Sequence, residues 1–281
     1  MNYRHAYHAG NFADVMKHAL LVRILVHLLK KDAPFRVIDT HAGIGLYDLS
    51  GEEAEKTAEW RNGIGRLGTP LPEEAEALIA PYRAAVAAVR ARHGESTYPG
   101  SPMLASAMLR RQDRAIAIEK HPKDAETLTR TLTYDPRVKA IALDGWTALH
   151  AMIPPPERRG LVLIDPPFEE PGELERLADE IARAWKKWPT GLFAGWYPIK
   201  DVRAVDAFAA RLAASGTRKV LRLELMVTDG RDTARLNGSG LVVVNPPWTL
   251  KEEAEILLPA LAERLAQGAR AGFRAEWIAG E

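Results

Sequence analysis

The chain has 281 residues, of which 47% are hydrophobic and 27% are charged. These fractions are typical of soluble globular proteins and exclude collagen-like, mucin-like and wholly disordered chains. Lysine and arginine number 38, and aspartate and glutamate 37, so a polyanionic partner would have to bind a local basic patch. The chain has no cysteine, which excludes a disulfide scaffold and a thiolate metal site. We expect a cytoplasmic protein, because cysteine is absent. The sequence offers no signal peptide or apolar run that would predict export or a membrane span.

The first residues form an aromatic and basic segment that leads into a long helix. Tyr3 and other aromatic residues alternate there with histidine, lysine and arginine, which suits an arm that contacts a nucleic acid. Apolar residues then recur at helical spacing and predict one helix from Asn11, its N-cap, to Lys31. Lys17 and His18, in its first turns, are placed to face a cofactor. A metal site among the histidines is the alternative, which we disfavour because no clear carboxylate partner and no cysteine accompany them.

Seven short apolar runs predict the strands of one sheet. Four of them end in an acid, namely Asp39, Glu119, Asp144 and Asp165. Helical stretches separate these runs, so we expect parallel strands in a Rossmann-like, doubly wound α/β sheet. Turn residues between the last two runs predict that the last strand is antiparallel. The predicted strands are residues 35–39, 115–119, 138–144, 161–165, 191–196, 220–227 and 241–244.

One segment interrupts this alternation. Residues 51–93 are rich in alanine, glutamate and arginine, and they contain two helical patterns, 52–60 and 72–92, but no strand. We therefore predict a helical insertion subdomain at 51–93. The core is predicted to comprise residues 1–50 and 94–281, with the N-terminal arm and first helix in its first 31 residues.

The four strand-end acids are expected to meet in one crevice, because ligands of open α/β sheets bind at the carboxyl ends of the strands. A cation with hydroxyl and amino groups would use such acceptors, and S-adenosylmethionine combines a sulfonium, an ammonium and a ribose diol. We expect Glu119 to accept the ribose hydroxyls, Asp144-Gly145 to contact the adenine, and His41 to contact the methionine end. The simpler interpretation is that each acid is a solvated end of a strand.

A dinucleotide cofactor is disfavoured by the turn after the first strand. Gly43 and Gly45 supply only two of the three glycines in the dinucleotide-binding fingerprint. Asp48 occupies the third position, where its charge would repel a pyrophosphate.

The motif Asp165-Pro166-Pro167-Phe168 follows the fourth predicted strand. The two prolines fix an extended turn without N–H donors, so the Asp165 carboxylate and the Pro166 carbonyl can both accept hydrogen bonds from one amino group. Phe168 offers a ring on which a planar base can stack. Such acceptors would activate a weakly nucleophilic amine for attack on a sulfonium methyl, and Asp165 would take the proton. The simpler interpretation is a rigid turn.

Asn245-Pro246-Pro247-Trp248 has the same form. It follows a late strand at the wrong point in the chain order for the expected crevice. We therefore interpret it as the stop of that strand, and the alternative is that it forms the amine site.

Eight motifs together resemble the RlmJ family of bacterial 23S ribosomal RNA adenine(2030)-N6-methyltransferases. The resemblance runs nearly end to end and is weakest in the helical insertion. Phe168 stands where the family commonly has tyrosine, which preserves stacking but removes a hydroxyl. The motifs are Tyr3-Arg-His, His8-Ala-Gly-Asn, Asp14-Val-Met-Lys-His, Asp39-Thr-His-Ala-Gly, Tyr98-Pro-Gly-Ser-Pro, Asp165-Pro-Pro-Phe, Trp196-Tyr-Pro and Asn245-Pro-Pro-Trp.

The resemblance implies a class I methyltransferase fold that uses S-adenosylmethionine. It makes Asp165 the proton acceptor and Tyr3 a contact of the RNA. Ser101 enters the site through the resemblance only, because its own sequence context is typical of a plain turn. The cofactor-binding residues implied are His18, His41, Ser101, Glu119, Asp144, Gly145 and Asp165.

The expected function is N6-methylation of adenine 2030 in 23S ribosomal RNA, with the base flipped into the pocket of Pro166, Pro167 and Phe168. A stem-loop substrate is expected, because unpaired or helix-terminal adenines are the easiest to extract. We expect no metal and no obligatory protein partner. Residue chemistry alone leaves open the methylation of adenine in DNA or of a protein glutamine, and a non-catalytic RNA-binding assembly factor is the alternative from another class.

Overall fold

The computed structural model describes residues 5–280, so Tyr3, the predicted RNA contact, lies outside the described residues. Nine α-helices are formed in this part of the chain. They are α1 (Phe12–Leu29), α2 (Glu52–Thr57), α3 (Glu73–His93), α4 (Ser101–Met108), α5 (Pro122–Leu132), α6 (Gly145–Ala151), α7 (Glu173–Lys187), α8 (Val202–Ala214) and α9 (Leu250–Leu265).

Ten strands accompany these helices in residues 5–280. They are β1 (Arg36–Asp39), β2 (Leu46–Asp48), β3 (Thr97–Pro99), β4 (Arg114–Glu119), β5 (Val138–Ala142), β6 (Gly160–Ile164), β7 (Leu192–Ile199), β8 (Val220–Met226), β9 (Gly238–Val244) and β10 (Gly272–Ala279). Two of them, β2 and β3, form a separate antiparallel pair that the sequence did not predict.

The predicted long helix is confirmed as α1. The Asn11 side chain accepts hydrogen bonds from the backbone N–H groups of Ala13 and Asp14, so it caps the helix as expected. Most of α1 is buried, because the helix packs against the sheet on one side and against α3, α4 and α9 around it. This burial explains why polar residues of α1 lie inside the molecule.

The main sheet has eight strands in the order β10-β8-β9-β7-β6-β1-β4-β5, so the prediction of seven strands was wrong by one. The missed strand, β10, is an edge strand that pairs with β8 alone, and it lacks the apolar run that marks a strand buried on both faces. The predicted antiparallel strand is confirmed as β9, which lies antiparallel between β7 and β8. The mostly parallel α/β architecture is also confirmed.

The parallel strands give the sheet two chemically different edges. At the amino edge, Arg36 of β1 lies beside Arg114 and Gly160. At the carboxyl edge, Asp39 lies beside Ala117 and Leu163. Helices cover both faces between these edges, with α1, α4, α5 and α9 packed on one face and α6, α7 and α8 on the other.

The predicted insertion contains α2 and α3, and no strand is formed within residues 51–93. Helix α3 packs against α1, α4 and α9, so this segment shares a core with the rest of the chain. Its treatment as a separate subdomain stays a prediction. Within residues 5–280, none of the helices has the length and apolar character needed to cross a membrane.

Candidate active site

A cleft of about 1050 Å³ opens at the carboxyl edge of the sheet. It brings together every predicted site residue that the structure describes, from α1, the β1 and β4 turns, α4, α6 and the segment after β6. The predicted residues that line it are His18, His41, Ser101, Glu119, Asp144, Gly145, Asp165, Pro166, Pro167 and Phe168.

Glu119 ends β4 with its carboxylate held by backbone donors. The N–H groups of Gly43 and His121 donate to its two oxygens at 3.0 and 2.8 Å. Burial raises the pKa of Glu119 despite these bonds. The side chain is therefore fixed in orientation at the floor of the cleft, where its remaining lone pairs can accept further hydrogen bonds.

Asp144 and Gly145 begin α6 beside the same floor. The Asp144 carboxylate caps the helix by accepting a hydrogen bond from the Thr147 N–H at 3.0 Å, and Lys120 lies 3.0 Å from its other oxygen. A Cβ on Gly145 would lie 2.2 Å from the Thr40 carbonyl oxygen and 2.6 Å from His41 Nε2. Only glycine permits this close approach of α6 to the turn after β1.

His41 packs between α6 and the end of β1. Its ring contacts Trp146 edge to face, with centroids 5.3 Å apart, and its Nδ1 lies 2.8 Å from Thr40 Oγ1. Burial lowers the pKa of His41 to about 4. The imidazole is therefore neutral at pH 7, and one of its nitrogens can accept a hydrogen bond.

Ser101 is the first residue of α4, which corrects the interpretation of its context as a plain turn. Its hydroxyl lies 2.5 Å from Asp39 Oδ2. Burial raises the pKa of Asp39 to about 7, so this strand-end acid, unlike a solvated carboxylate, is partly protonated near neutrality. Asp39 thus supports Ser101 and α4 at the edge of the cleft.

Asp165 follows β6 and faces the cleft, as the predicted catalytic role requires. Lys17 of α1 lies 2.5 Å from Asp165 Oδ2 and 3.0 Å from Asp14 Oδ1. Burial alone would lower the pKa of Lys17, but the carboxylates of Asp14 and Asp165 reverse the effect and raise it. Lys17 is therefore a buried ammonium that joins α1 to Asp165, the proposed proton acceptor.

His18 lies next to this ion pair and is connected through hydrogen bonds to the predicted insertion. Its Nδ1 lies 2.8 Å from the Tyr98 hydroxyl, which lies 3.0 Å from the Tyr82 hydroxyl of α3. Burial lowers the pKa of His18 to about 3. The neutral ring is thus held in one orientation, with Nε2 4.0 Å from Asp14 Oδ1.

The segment after Asp165 forms one wall of the cleft. Pro166 is buried and Phe168 is half-buried, with a left-handed backbone conformation at φ 52°. The Phe168 ring contacts Trp196 of β7 edge to face at 5.6 Å, and the Lys17 ammonium lies 5.6 Å from the centre of the Trp196 ring. Together these side chains form an aromatic surface beside Asp165.

The second Pro-Pro motif, Asn245-Pro246-Pro247-Trp248, lies far from this wall. Because β9 is antiparallel, its end at Val244 pairs with Phe193 and Val220, near the starts of β7 and β8. Asn245 donates from Nδ2 to the carbonyl oxygens of Pro189 and Gly191. The motif therefore closes the amino edge of the sheet, in agreement with its interpretation as a stop.

Sequence reasoning missed Asp14 and Trp196 as parts of the site. Asp14, Lys17 and His18 lie three and four residues apart on one helix face, which is a usable signal for a shared cluster. Trp196 was noted only as part of a motif. In the described part of the chain, no group of three or more histidine or acidic side chains is arranged to hold a metal ion.

The comparisons with known proteins give one consistent result. A family model described as "Ribosomal RNA large subunit methyltransferase D, RlmJ" matches residues 32–279. The chain belongs to this family. It is 40% identical over 284 residues to the ribosomal RNA large subunit methyltransferase J of Haemophilus influenzae, and 38% identical over 283 residues to that of Escherichia coli K12, with both chains fully covered in each case.

A solved structure from Legionella pneumophila supports the same fold. It matches with a TM-score of 0.85 and 32% identity, over 96% of this chain and 98% of the other. Family membership confirms the predicted methyltransferase class. The cofactor of this methyltransferase is S-adenosylmethionine, as predicted.

The residues of the cleft fit this cofactor. Of the charged side chains in the described part of the chain that line it, nine are acidic and five are lysine or arginine, which favours a ligand that carries a sulfonium and an ammonium. The fixed carboxylate of Glu119 suits a diol, because it can accept hydrogen bonds from both hydroxyls. Which atoms each residue contacts stays a prediction.

Proposed function

We propose that this chain transfers a methyl group from S-adenosylmethionine to N6 of an adenine in the large-subunit ribosomal RNA, at position 2030 as the family resemblance implies. The observation that carries the proposal is the position of Asp165. Its carboxylate faces the cleft beside the Phe168 and Trp196 rings, so a planar base stacked there would present its amino group to an acceptor.

We assign the cofactor contacts to residues around the cleft floor. When bound, S-adenosylmethionine supplies an electrophilic methyl group on a sulfonium. The assigned residues are His18, His41, Ser101, Glu119, Asp144, Gly145 and Asp165. Glu119 would accept the ribose hydroxyls, and the neutral His18 and His41 would contact polar groups of the cofactor without adding positive charge.

The proposed proton transfer uses residues whose geometry is already fixed. Lys17 holds Asp165 Oδ2, which leaves Oδ1 to accept a hydrogen bond from the adenine amino group. The Pro166 carbonyl oxygen accepts a hydrogen bond from the other N–H of the amino group. Neither proline has a backbone N–H, so this turn presents acceptors only. These acceptors increase the nucleophilicity of N6, and the Asp165 carboxylate takes the proton that N6 loses.

The substrate enters this site as an extruded base. The Watson–Crick edge of a paired adenine is covered, so the base must leave its stack before Asp165 can reach N6. An adenine in a loop or at a helix end pays the smallest unstacking cost. We therefore propose a stem-loop in the ribosomal RNA as the substrate, with Pro166, Pro167 and Phe168 against the base, and no obligatory protein partner.

A transfer assay with three acceptors tests the proposal. Purified protein and S-adenosylmethionine labelled in the methyl group are offered an unmodified 23S ribosomal RNA transcript, a DNA of the same sequence and a mixture of proteins. We expect label in the RNA alone, and nucleoside mass spectrometry should identify N6-methyladenosine. Label in DNA or in glutamine would identify the alternative substrates, whereas no transfer with intact RNA binding would identify a non-catalytic RNA-binding factor.

A further inference from the structure

The charges at the two edges of the sheet are distributed in a way that the catalytic cleft does not explain. Among residues 5–280, the cleft is lined by nine acidic residues against five lysines and arginines, although the proposed substrate is a polyanion. Three segments at the amino edge instead contain more lysines and arginines than acids. Residues 30–36, 110–114 and 157–159 together contain eight lysines and arginines and three acids, and we call them the amino-edge cluster.

The fold brings these three segments into contact. The Arg110 guanidinium donates to the carbonyl oxygens of Lys31 and Ala33 at 2.9 and 3.2 Å. Arg159 donates to the same Ala33 carbonyl at 2.7 Å. Both guanidinium groups also lie over the Phe35 ring, at 5.8 and 5.7 Å from its centre. The cluster is therefore one surface, although its segments are far apart in the sequence.

Two of the three acids in the cluster are already neutralised. Asp113 is fully buried and accepts hydrogen bonds from Arg110 and from the Phe35 N–H. Glu157 is paired with Arg36 at 2.9 Å. Asp32 is the one further acid within the three segments, and the nearby Glu253 of α9 is paired with Arg23, so the three segments keep a positive excess.

The positive charges also repel one another. Partial burial and the nearby charge of Arg110 lower the pKa of Arg159. Burial, Lys30 and Arg159 lower the pKa of the neighbouring His27. Like charges held this close are unfavourable in the free protein, and a polyanion would relieve the repulsion.

We propose that the amino-edge cluster binds phosphate groups of the RNA substrate outside the target stem-loop. This inference rests on the proposed function and extends it with a second RNA-binding surface. Lys31, Arg111 and Arg158 are exposed and serve as the phosphate ligands, whereas Arg110 and Arg159 are held by backbone carbonyls and supply a fixed positive background.

The distance between the two surfaces defines which RNA can use both. β4 runs from Arg114 at the amino edge to Glu119 at the cleft, which at about 3.3 Å per residue is roughly 17 Å. We expect that a stem-loop of only a few base pairs, with its target base in the cleft, does not extend around the sheet to the cluster. A long RNA does, so the cluster contributes to affinity only for an extended substrate.

The test compares a triple variant, K31Q/R111Q/R158Q, with a control that loses the same charge elsewhere, R183Q/R211Q/K251Q. The control residues lie on α7, α8 and α9, where Arg183 and Arg211 are exposed and Lys251 is half-buried. They form ion pairs with Glu180, Asp179 and Glu255. Thermal unfolding establishes that both variants are folded. RNA binding and methyl transfer are then measured with the full 23S transcript and with a short stem-loop that contains the target adenine, over a range of salt concentrations.

For the full transcript we expect the triple variant to bind about tenfold more weakly at 0.15 M salt, and the slope of log affinity against log salt to become shallower by about 2, as expected for the loss of two or three phosphate contacts. The control and the short stem-loop should show neither change, and kcat should stay within about twofold. Equal affinities and slopes for parent and triple variant would overturn this inference. Failure of the parent to methylate any RNA would instead overturn the proposed function, and the binding comparison would still decide whether the cluster contacts RNA.

Discussion

At the carboxyl edge of the sheet the charged groups around Lys17 are buried or half-buried and paired with one another, whereas at the amino edge most charged groups are exposed and positive. Lys17 and Asp39 at the first edge are 4% and 2% exposed. Lys30, Lys31 and Arg111 at the second are exposed. Buried pairs are screened little by salt, but exposed charges are screened within about 10 Å at 0.1 M ionic strength. The carboxyl edge should therefore respond mainly to pH and mutation, and the amino edge to salt.

The largest effect on activity is expected at Asp165, the proposed proton acceptor. Asp165→Asn keeps the shape of the side chain but removes the proton acceptor, so turnover should fall by about 10²–10⁴-fold. S-adenosylmethionine affinity should change by less than about threefold, because most assigned contacts lie elsewhere in the cleft. Single-turnover kinetics and calorimetry measure the two quantities. An asparagine variant with the parental rate would remove Asp165 from the mechanism.

The buried ammonium provides the next test. Lys17→Met leaves Asp14 and Asp165 without their shared partner, and breaking a buried ion pair in this way costs about 3–5 kcal/mol of unfolding free energy. Lys30→Met, at the exposed amino edge, should cost less than about 0.5 kcal/mol. Urea unfolding at pH 7 gives both values. Similar losses for the two variants would contradict the contrast between the edges.

A smaller effect is expected from the pH dependence of stability. The pKa of His18 is about 3 in the folded protein, against 6.5 as its ordinary value, so below pH 6.5 the unfolded chain binds a proton that the folded chain does not. Stability is therefore lost as pH falls from 6.5 toward 3, at about 1.4 kcal/mol per pH unit from this group. Asp39 has the opposite effect on stability, because its pKa is raised to about 7 in the folded protein. As pH falls below 7, the folded chain binds a proton that the unfolded chain does not, and this group then increases stability.

His18→Gln isolates the histidine contribution, because Asp39 is present in both proteins. The variant should lose less stability than the parent between pH 6.5 and 4, by about 1.4 kcal/mol per pH unit. Urea unfolding of the cofactor-free proteins at several pH values measures the difference. His93→Gln, at the exposed end of α3, should follow the parent curve. Parallel curves for His18→Gln and the parent would show that the folded protein protonates His18 as readily as the unfolded chain does, which would contradict the lowered pKa.

The smallest effect is expected at the second Pro-Pro motif. Asn245 lies at the amino edge and has a φ of 52°, which glycine adopts without strain. Asn245→Gly should therefore leave turnover per folded molecule within about twofold, although loss of the bonds to Pro189 and Gly191 should reduce stability by about 1 kcal/mol. A large loss of kcat in a folded variant would place this motif in the reaction.

The central strands and the cleft could be predicted because both depend on local patterns. Apolar runs marked the strands that are buried on both faces, and in four of these runs an acid marked the carboxyl end of the strand. The edge strand β10 has no such run, because only one of its sides pairs with the sheet. Ser101 could not be placed from its context, since its role depends on Asp39, which lies 62 positions away.

Long-range charge contacts explain the other differences. Lys17 and Asp165 are 148 positions apart, so no local spacing indicates that they form an ion pair. The amino-edge cluster was equally hidden, because its segments are separated in the sequence and the whole chain has a net charge of only +1. Composition predicted that a polyanionic partner would need a local basic patch, but only the fold brings the segments of that patch together.

The place of β9 in the sheet also constrains the order in which the chain can assemble. β9 is the last of the three strands β7, β8 and β9 to be synthesised, yet it lies between the other two. A nascent chain that ends before Gly238 has no strand to join β8 to β7, so both present open edges that invite pairing with other chains. The C-terminal third of the sheet therefore folds only after about residue 244 has left the ribosome, the particle whose RNA this protein is proposed to modify.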